Sequence, residues 1–434
     1  MNRLITLIAL AAAVVATVAG CRSTDTEFKQ GADGGSGHVG SDADDDPVTI
    51  GGTDAGQPQD ASDASVEGDA VHEDADEYGQ PDGGSWVPAQ GSFVLQDQQT
   101  GTYWNLRGEA FRGPLAGHKL EQVPAFNSFW FAWSVFYDGS EIWNQDIDNS
   151  PGTIDPDDNC LVPCDEIRLG CGGGKDCIPA LESAGTTAQM VAADHPEAEY
   201  LQDSDFVLAT TIGGSARAYP HNILWWHEIY NDTVDGEDYS VTFCPLTGSG
   251  IVFEGRAEQD PTFGVSGKLY NSNLVMYDRE TDSNWSQMLG TAVTGPQMGS
   301  DAKRLPIVET TWGRWKQMHP DTLVISENTG HSRDYSRYPY GDYRTNHDDT
   351  FRATNPDYQD TYRAKDRVLG LVGEQESRVY AFPEIEEFGT RVVINDTFEG
   401  DKLVIAYEAA HRMAVPFYAR ADGRELTFEG VRAP

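Results

Sequence analysis

The feature that most constrains the fold of this chain is an internal repeat whose second copy is divided between the two ends of the sequence. The motif NDT at 231–233 recurs at 395–397, and the segments that follow align without a gap as far as Phe253 and Phe417. A further series of landmarks recurs in the same order, which chance explains poorly. The matched pairs are Asp278 with Asp97, Trp285 with Trp104, Gly295 with Gly113, Trp312 with Trp130 and Trp315 with Trp133.

The order of these segments predicts a circular permutation. Copy A runs continuously over residues 205–326, whereas copy B is made of residues 367–434 together with residues 93–143. Permuted chains are joined where the ends meet at a surface, so Gln90 and Pro434 are expected within about 15 Å of each other. Residues 426–428 are then expected to form a strand beside residues 93–96.

Short β patterns, many Gly and Pro residues and few long amphipathic helices predict a mainly β (α+β) fold with two pseudo-symmetric repeats and short helices. In the most apolar stretch, 216–253, we expect a strand at 216–219, a helix at 222–230 opened by Pro220, and strands at 239–243 and 250–253. Each Trp pair of the repeat is spaced by three residues, which places both indoles on one side of a short helix as core residues.

The N-terminus has the pattern of a lipoprotein signal peptide. Residues 1–20 contain one basic residue, Arg3, and a short apolar run, and the run ends in Val18-Ala19-Gly20-Cys21, which resembles a bacterial lipobox. We expect Cys21 to carry acyl chains such as palmitate and to anchor the protein to a lipid membrane. Arg22 after the Cys resembles outer-membrane sorting, so we expect a location in the bacterial cell envelope. An ordinary signal peptide followed by a free Cys is the alternative.

Residues 21–84 read as an acidic, disordered tether before a globular domain at 85–434. The tether is rich in Asp, Gly, Ser and Ala and carries a net charge of −15, because 17 acids face only Arg22 and Lys29. Such a composition cannot bury enough apolar surface to fold. The globular part keeps a net charge of −26, which argues against nucleic acid as a partner. The acidic run at 42–46 is expected to be exposed to solvent, and weak calcium binding is the alternative.

Four cysteines lie in one Gly-rich loop at 155–180. Exported proteins fold under oxidising conditions, so an even number of cysteines in one loop predicts disulfides. We expect two disulfides among Cys160, Cys164, Cys171 and Cys177. A hairpin loop favours the nested pairing of Cys160 with Cys177 and Cys164 with Cys171. A structural zinc is the alternative, although spacings of three, six and five residues depart from the usual knuckles. The preceding 146–150 resembles the start of a calcium loop, but Pro151 stands where the turn needs Gly.

The candidate catalytic residues lie in copy A and are His227, Glu228, Asp232 and Cys244. In the gapless alignment Glu408 corresponds to Cys244 and His411 to Thr247. We therefore consider a metal site for copper or zinc built from Cys244, His227, Glu408 and His411, and we expect His227 and Cys244 to face one cavity. The alternatives are a hydrogen-bonded core histidine and a buried, unreactive thiol.

A set of motifs resembles the bacterial Domain of Unknown Function family 3179. These motifs lie between residues 165 and 372 and are RAYP at 217–220, WHE at 226–228, NDT at 231–233, CPL at 244–246, TFGVSG at 262–267, NSNLVMYDRET at 271–281 and PYGDY at 339–343. The resemblance implies relatives but no activity. Members typically read CPLCGT, whereas Thr247 occupies the second Cys position here. A two-thiol redox or metal centre at this turn is therefore not implied for this chain.

Two functions from different classes remain open. The first is a non-enzymatic lipoprotein that binds a small molecule or a protein in an aromatic-lined cleft between the repeats, supported by the stretch SRDYSRYPYGDY at 332–343. The second is a metal-dependent, redox or hydrolytic enzyme that uses His227, Cys244 and the facing turn of the second repeat. We favour binding, with copper, zinc or calcium as the metals to consider if one is present.

Overall fold

The structure is a computed structural model that describes residues 47–51, 86–145, 159–183, 188–255, 262–351, 353 and 360–434. Several predictions lie outside these ranges, namely the signal peptide, the lipidated Cys21, most of the tether and the calcium alternatives at 42–46 and 146–150. No helix in the described ranges is both long enough and apolar enough to cross a membrane.

Strands are the main regular structure of the described chain, with short α-helices between them. Up to residue 145 the elements are β1 (Val48–Gly51), β2 (Phe93–Asp97), β3 (Tyr103–Trp104), β4 (Ala110–Arg112), β5 (Ala125–Phe129), α1 (Trp130–Phe136) and β6 (Glu141–Ile142). Between residues 159 and 351 they are β7 (Arg168–Leu169), β8 (Leu181–Glu182), β9 (Met190–Ala192), β10 (Phe206–Ile212), β11 (Ser215–Pro220), α2 (His221–His227), β12 (Ile229–Val234), β13 (Glu237–Cys244), β14 (Ser249–Glu254), β15 (Phe263–Tyr270), β16 (Asn273–Asp278), β17 (Asn284–Ser286), β18 (Thr291–Thr294), β19 (Arg304–Leu305), β20 (Val308–Thr311), α3 (Trp312–Met318) and β21 (Leu323–Ile325). From residue 360 they are β22 (Arg367–Val372), β23 (Ser377–Ala381), α4 (Phe382–Glu386), β24 (Arg391–Phe398), β25 (Asp401–Glu408), β26 (Met413–Tyr418), β27 (Arg420–Ala421), β28 (Arg424–Glu425) and β29 (Phe428–Arg432).

The strands form several small sheets, and most neighbouring strands are antiparallel. The strand orders are β1-β24-β25-β26, β20-β10-β11-β21-β9, β19-β14-β13-β12-β8, β18-β17-β16-β15-β7, β29-β2-β3-β4, β5-β22-β23-β6 and β27-β28. Hairpin connections between adjacent strands suit the short segments and the many Gly and Pro residues of the sequence. The prediction of a mainly β, α+β fold is confirmed.

Helix α2 is shorter than the sequence pattern predicted. It begins directly after Pro220 and ends at His227, because Glu228 adopts a positive φ of 60° and the chain continues as β12. The following residues Ile229 and Tyr230 are β-branched or aromatic, which favours a strand. The placement of Tyr230 on the helix was therefore wrong, although the strands predicted at 239–243 and 250–253 lie within β13 and β14.

The two Trp pairs occupy equivalent helices and lie in the core, as predicted. Trp130 and Trp133 are buried in α1, and Trp312 and Trp315 are buried in α3. The Trp133 indole donates a hydrogen bond to Ser140 Oγ at 3.0 Å, and the Trp315 indole donates one to Thr322 Oγ1 at 2.8 Å. In both helices, therefore, a buried indole N–H is satisfied seven residues further along the chain.

The sheets of the two copies share their strand order and their register. In copy A, β14-β13-β12 is flanked by β8, and in copy B, β26-β25-β24 is flanked by β1. Tyr230 lies opposite Val241, and 164 residues later Ile394 lies opposite Ile405. A single offset therefore relates the two three-stranded meanders.

Buried polar contacts recur in the same way. The Trp285 indole donates to Asp278 at 2.9 Å, and the Trp104 indole donates to Asp97 at the same distance. The side-chain amide of Asn231 bonds the backbone of Phe263, and Asn395 bonds the backbone of Phe428. These pairs of contacts support the interpretation of copy B as a permuted repeat.

The two fragments of copy B meet at the chain ends. Strand β29 pairs with β2 along its whole length, so that Phe428 lies opposite Asp97. This strand begins at Phe428 rather than at Leu426 as predicted. The backbone N–H of Gly91 donates to Ala433 O at 2.8 Å, which brings Gln90 and Pro434 together as the permutation requires.

The Cys-rich loop contains two disulfides, but the nested pairing predicted for them is wrong. The bonds join Cys160 to Cys164 and Cys171 to Cys177. The two halves of the loop attach to different strands: Leu161 N donates to Val293 O in β18, whereas Gly170 N donates to Gly267 O in β15. Because these strands are not neighbours in their sheet, each half closes its own local disulfide.

One part of the predicted tether is ordered, so the prediction of disorder over 21–84 does not hold there. Strand β1 pairs in parallel with β24, and Thr49 Oγ1 accepts a hydrogen bond from Gly430 N at 2.9 Å. Val48 and Ile50 belong to the only β-branched run of that acidic segment. One edge of β24 pairs with β25, and the other edge supplies the backbone hydrogen-bond partners that make the run at 48–51 a strand.

Candidate functional site

His227 is a buried structural residue in this fold. It has no exposed surface, and its Nδ1 and Nε2 lie 2.8 Å from Pro179 O and from the Tyr335 hydroxyl respectively. Burial lowers the pKa of His227 to about 4, so the ring is neutral at physiological pH. Both ring nitrogens are engaged, and the side chain therefore fixes the loop around Tyr335 rather than offering a metal ligand.

Cys244 is equally buried. Its Sγ donates a weak hydrogen bond to Ser272 O at 3.7 Å, and burial together with the nearby Glu228 raises the pKa of the thiol to about 11. A reactive cysteine needs a lowered pKa and access to solvent. Cys244 therefore remains a thiol at neutral pH.

Asp232 has a structural role that recurs in copy B. Its carboxylate accepts hydrogen bonds from Arg217 at 2.7 Å and from the Tyr219 hydroxyl at 2.8 Å. The corresponding Asp396 is bonded by Tyr380 at 2.7 Å. A contact that appears in both copies serves the fold of the repeat.

The other two candidate ligands, Glu408 and His411, belong to a separate polar cluster. Glu408 forms ion pairs with Arg314 at 2.9 Å and Arg391 at 3.7 Å, and His411 Nδ1 lies 2.8 Å from Thr311 Oγ1. In the ranges that the structure describes, no three His, Cys, Asp or Glu side chains gather as a metal site requires. The structure thus does not bring together the four residues Cys244, His227, Glu408 and His411.

Glu228 is the candidate residue that faces a cavity. Its side chain is buried, with 6% exposure, and among the described residues it has no ion-pair or hydrogen-bond partner. Its positive φ at the end of α2 is uncommon for a residue with a side chain and is a form of strain found at functional sites. Burial raises the pKa of Glu228 to about 8, so the carboxyl group is mostly protonated at pH 7.

The cavity in front of Glu228 has a volume of about 280 Å³ and a mainly apolar lining. We call it the Glu228 cavity. It is lined by Gly170, Cys171, Ile178, Glu228, Leu246, Val265, Gly267, Lys268, Leu269, Tyr340, Tyr343, Asp349 and Phe351. Four of the motifs that carry the family resemblance contribute to this lining: WHE, CPL, TFGVSG and PYGDY.

Two loops close the cavity. The second disulfide loop lies on β15, where Gly267 has a positive φ and a Cβ atom would collide with the carbonyl group of Gly174. The aromatic stretch 332–343 lies on the turn after β13, where the Tyr343 hydroxyl donates to Leu246 O at 2.8 Å. Glycine is therefore required at 267, and the hydroxyl of Tyr343 joins the aromatic stretch to the turn after β13.

A buried polar network supports the turn after Cys244. The Asn273 side-chain amide donates to Thr247 Oγ1 at 2.9 Å and to Gln287 Oε1 at 2.7 Å, and Gln287 Nε2 donates to Thr242 Oγ1 at 3.1 Å. Ser249 completes the network by donating to Gln287 Oε1 at 2.7 Å. All five side chains have no exposed surface. A fully satisfied network of this kind rigidifies its surroundings.

Lys365 was not identified from the sequence, because it lies alone in a loop without a motif. Its Nζ is buried without a hydrogen-bond partner and lies 3.3 Å from the centre of the Tyr343 ring and 4.6 Å from that of Phe131. Burial lowers the pKa of Lys365 to about 7, and the charge of Asp349 partly opposes this shift. An amine of this kind changes its charge near physiological pH.

The cleft between the two copies is a different cavity of about 330 Å³. It includes Tyr239 and Trp315 from copy A and Phe417 from copy B. None of the aromatic residues of the stretch 332–343 lines it. This stretch therefore does not line the cleft, contrary to expectation. Its residues Tyr340 and Tyr343 line the Glu228 cavity, whose lining contains no residue of copy B.

No curated protein and no solved structure matches this chain. The sequence model of one family, described as "Protein of unknown function (DUF3179)", matches residues 26–140 and 175–433. The match includes both fragments of copy B and the aromatic stretch beside the Glu228 cavity. The chain therefore belongs to the DUF3179 family.

Proposed function

We propose that this protein binds a small, largely apolar molecule in the Glu228 cavity and does so as an exported protein held on a membrane through acylated Cys21. The observation that carries the proposal is the convergence of four family motifs on one concave, mostly apolar cavity that contains a buried carboxyl group without a partner. Ligand sites have this composition: apolar walls with a few polar groups that fix orientation.

The alternative, an enzyme built on His227, Cys244 and the second repeat, has less support. Both nitrogens of His227 are occupied by structural contacts, and the thiol of Cys244 is buried with a raised pKa. Nucleophilic catalysis would need a base within hydrogen-bond reach of an accessible thiol. Binding is the function that the geometry supports better.

A fragment screen with two cavity-filling variants tests the binding proposal. Ligand-observed NMR with a mixed set of small aromatic amines, alcohols and carboxylates should find compounds that bind the full chain. The variant Leu269→Trp narrows the Glu228 cavity and should reduce their binding at least tenfold.

Thr211→Trp is the matched control, because Thr211 is a strand residue that lines the cleft between the copies. Both variants should melt close to the wild-type temperature. Binding that survives in Leu269→Trp and disappears in Thr211→Trp would move the site to the cleft, and the complete absence of binding would refute the proposal.

A further inference from the structure

We propose that the Glu228 cavity takes an organic cation, namely a primary amine or ammonium group on a small aromatic or aliphatic body, with its charged group at Glu228. This inference depends on the proposed binding function and adds the chemical class of the ligand. Its basis is the combination of carboxyl groups and aromatic rings in the lining, together with the lack of a partner for Glu228.

The lining favours a positive charge. It contains two carboxyl groups, from Glu228 and Asp349, and the rings of Tyr340, Tyr343 and Phe351. The faces of such rings attract ammonium groups, especially where water is excluded. Lys268 is the basic residue of this lining, and its Nζ lies 3.4 Å from Asn284 Oδ1.

Glu228 lacks a cation of its own. The groups near it are the thiol of Cys244 and the phenol of Tyr340, and burial raises the pKa of both, so they are neutral at pH 7. The adjacent His227 is neutral and bonded elsewhere. A buried carboxyl group is usually paired, and no residue described by the structure fills that role here.

Lys365 shows that this part of the protein already accommodates an amine among aromatic rings. Its Nζ lies over the rings of Tyr343, Phe131 and Phe129 and donates no hydrogen bond. Its charge would repel a second cation nearby. Because burial lowers its pKa to about 7, Lys365 can lose a proton when a cation enters the cavity.

The expected proton linkage follows from these two groups. A bound cation favours the ionised form of Glu228, whose pKa is about 8 in the free protein, and the neutral form of Lys365. Both changes release protons at pH 7. Affinity for the cation should therefore increase as the pH is raised from 6 to 8.

The test compares three probes of similar shape and different charge: benzylamine, benzyl alcohol and benzoate. Isothermal titration calorimetry of the full chain at pH 6, 7 and 8, in buffers with different ionisation enthalpies, measures both affinity and proton release. Benzylamine should bind at least tenfold more tightly than benzyl alcohol at pH 8 and should release protons at pH 7.

The variant Glu228→Gln keeps the size of the side chain and should reduce the affinity for benzylamine at least tenfold, with little change for benzyl alcohol. Glu254→Gln is the matched control, because Glu254 pairs with Lys303 and lies outside the Glu228 cavity. It should bind benzylamine like the wild type. Lys365→Met should keep binding and lose part of the proton release.

Four outcomes would overturn the inference. Tighter binding of benzyl alcohol or benzoate than of benzylamine would do so while leaving the cavity as a binding site. The inference would also be wrong if the affinity for benzylamine fell between pH 6 and pH 8. It would be wrong as well if that affinity were unchanged in Glu228→Gln. If none of the three probes binds, the cation is excluded, and the fragment screen with Leu269→Trp decides separately whether the cavity binds anything.

Discussion

The turn after β13 in copy A and the turn after β25 in copy B have the same backbone register, but the first contains neutral polar side chains and the second a charged one. Cys244 lies opposite Ser249, and Glu408 lies opposite Met413 at the same offset of 164 residues. In copy A the turn is supported by neutral polar side chains and borders the Glu228 cavity. In copy B, Glu408 at the start of the equivalent turn forms an ion pair with Arg314.

The polar network of copy A has no counterpart in copy B. Thr242 and Ser249 correspond to Ala406 and Met413, and Gln287 corresponds to Leu106 by the offset that relates Trp285 to Trp104. Buried polar groups stabilise a fold less reliably than apolar ones, and they are useful where they fix a particular geometry. Under the binding proposal, the network of copy A fixes the turn beside the Glu228 cavity, whereas the apolar residues at the equivalent positions of copy B serve the core.

The largest expected effect tests the ion pair of copy B. Glu408→Gln removes the negative charge that pairs with the buried Arg314 and with the partly exposed Arg391, so the free energy of unfolding should fall by roughly 3–5 kcal/mol. Urea denaturation of the full chain at pH 7 measures this change. Cys244→Ala is the matched variant in copy A and should cost less than about 2 kcal/mol, since it removes one buried sulfur atom.

The double variant Arg314→Met with Glu408→Met should recover most of the loss, because a well-packed apolar pair can replace a buried ion pair. If Glu408→Gln costs no more than Cys244→Ala, the two turns are energetically alike and the comparison fails.

A second prediction concerns the polar network of copy A. Gln287→Leu copies the residue of copy B and leaves Thr242, Ser249 and Asn273 without one of their partners. It should reduce the free energy of unfolding by about 1–3 kcal/mol in urea denaturation. A combined variant with Thr242→Ala and Ser249→Met, which makes the site resemble copy B further, should recover part of this loss. A neutral single variant would show that the network is not needed for stability.

The smallest expected effect concerns the edge strands. Strand β1 holds the same position beside β24 that β8 holds beside β12, but β1 is partly exposed. Thr49→Pro removes the acceptor for Gly430 N and disturbs the pairing, and it should cost about 1 kcal/mol or less. Hydrogen exchange should become faster at the backbone amides of 392–395, while Ile50→Val should leave it unchanged. Unaltered exchange in Thr49→Pro would mean that β1 does not protect this edge.

The position of the candidate site was partly predictable. The stretches around Glu228, Cys244 and Tyr343 were selected for their titratable and aromatic residues, and the motifs WHE, CPL and PYGDY each contribute a residue to the lining of the Glu228 cavity. The sequence did not distinguish His227 from Glu228, since two adjacent residues at a helix end point in different directions. That choice depends on the positive φ of Glu228 and on contacts with Pro179 and Tyr335, which are distant in sequence.

The β-rich class, the positions of the main strands, the core role of the tryptophans and the presence of two disulfides could all be predicted from the sequence. Each of these depends on local pattern or on residue type. The pairing of the cysteines, the pairing of β1 with β24, and the burial of Lys365 and Glu228 beside aromatic rings became visible only in the folded chain. These outcomes depend on which distant segments come into contact, and burial by such segments, rather than residue type, fixes the charge of a carboxyl or an amine.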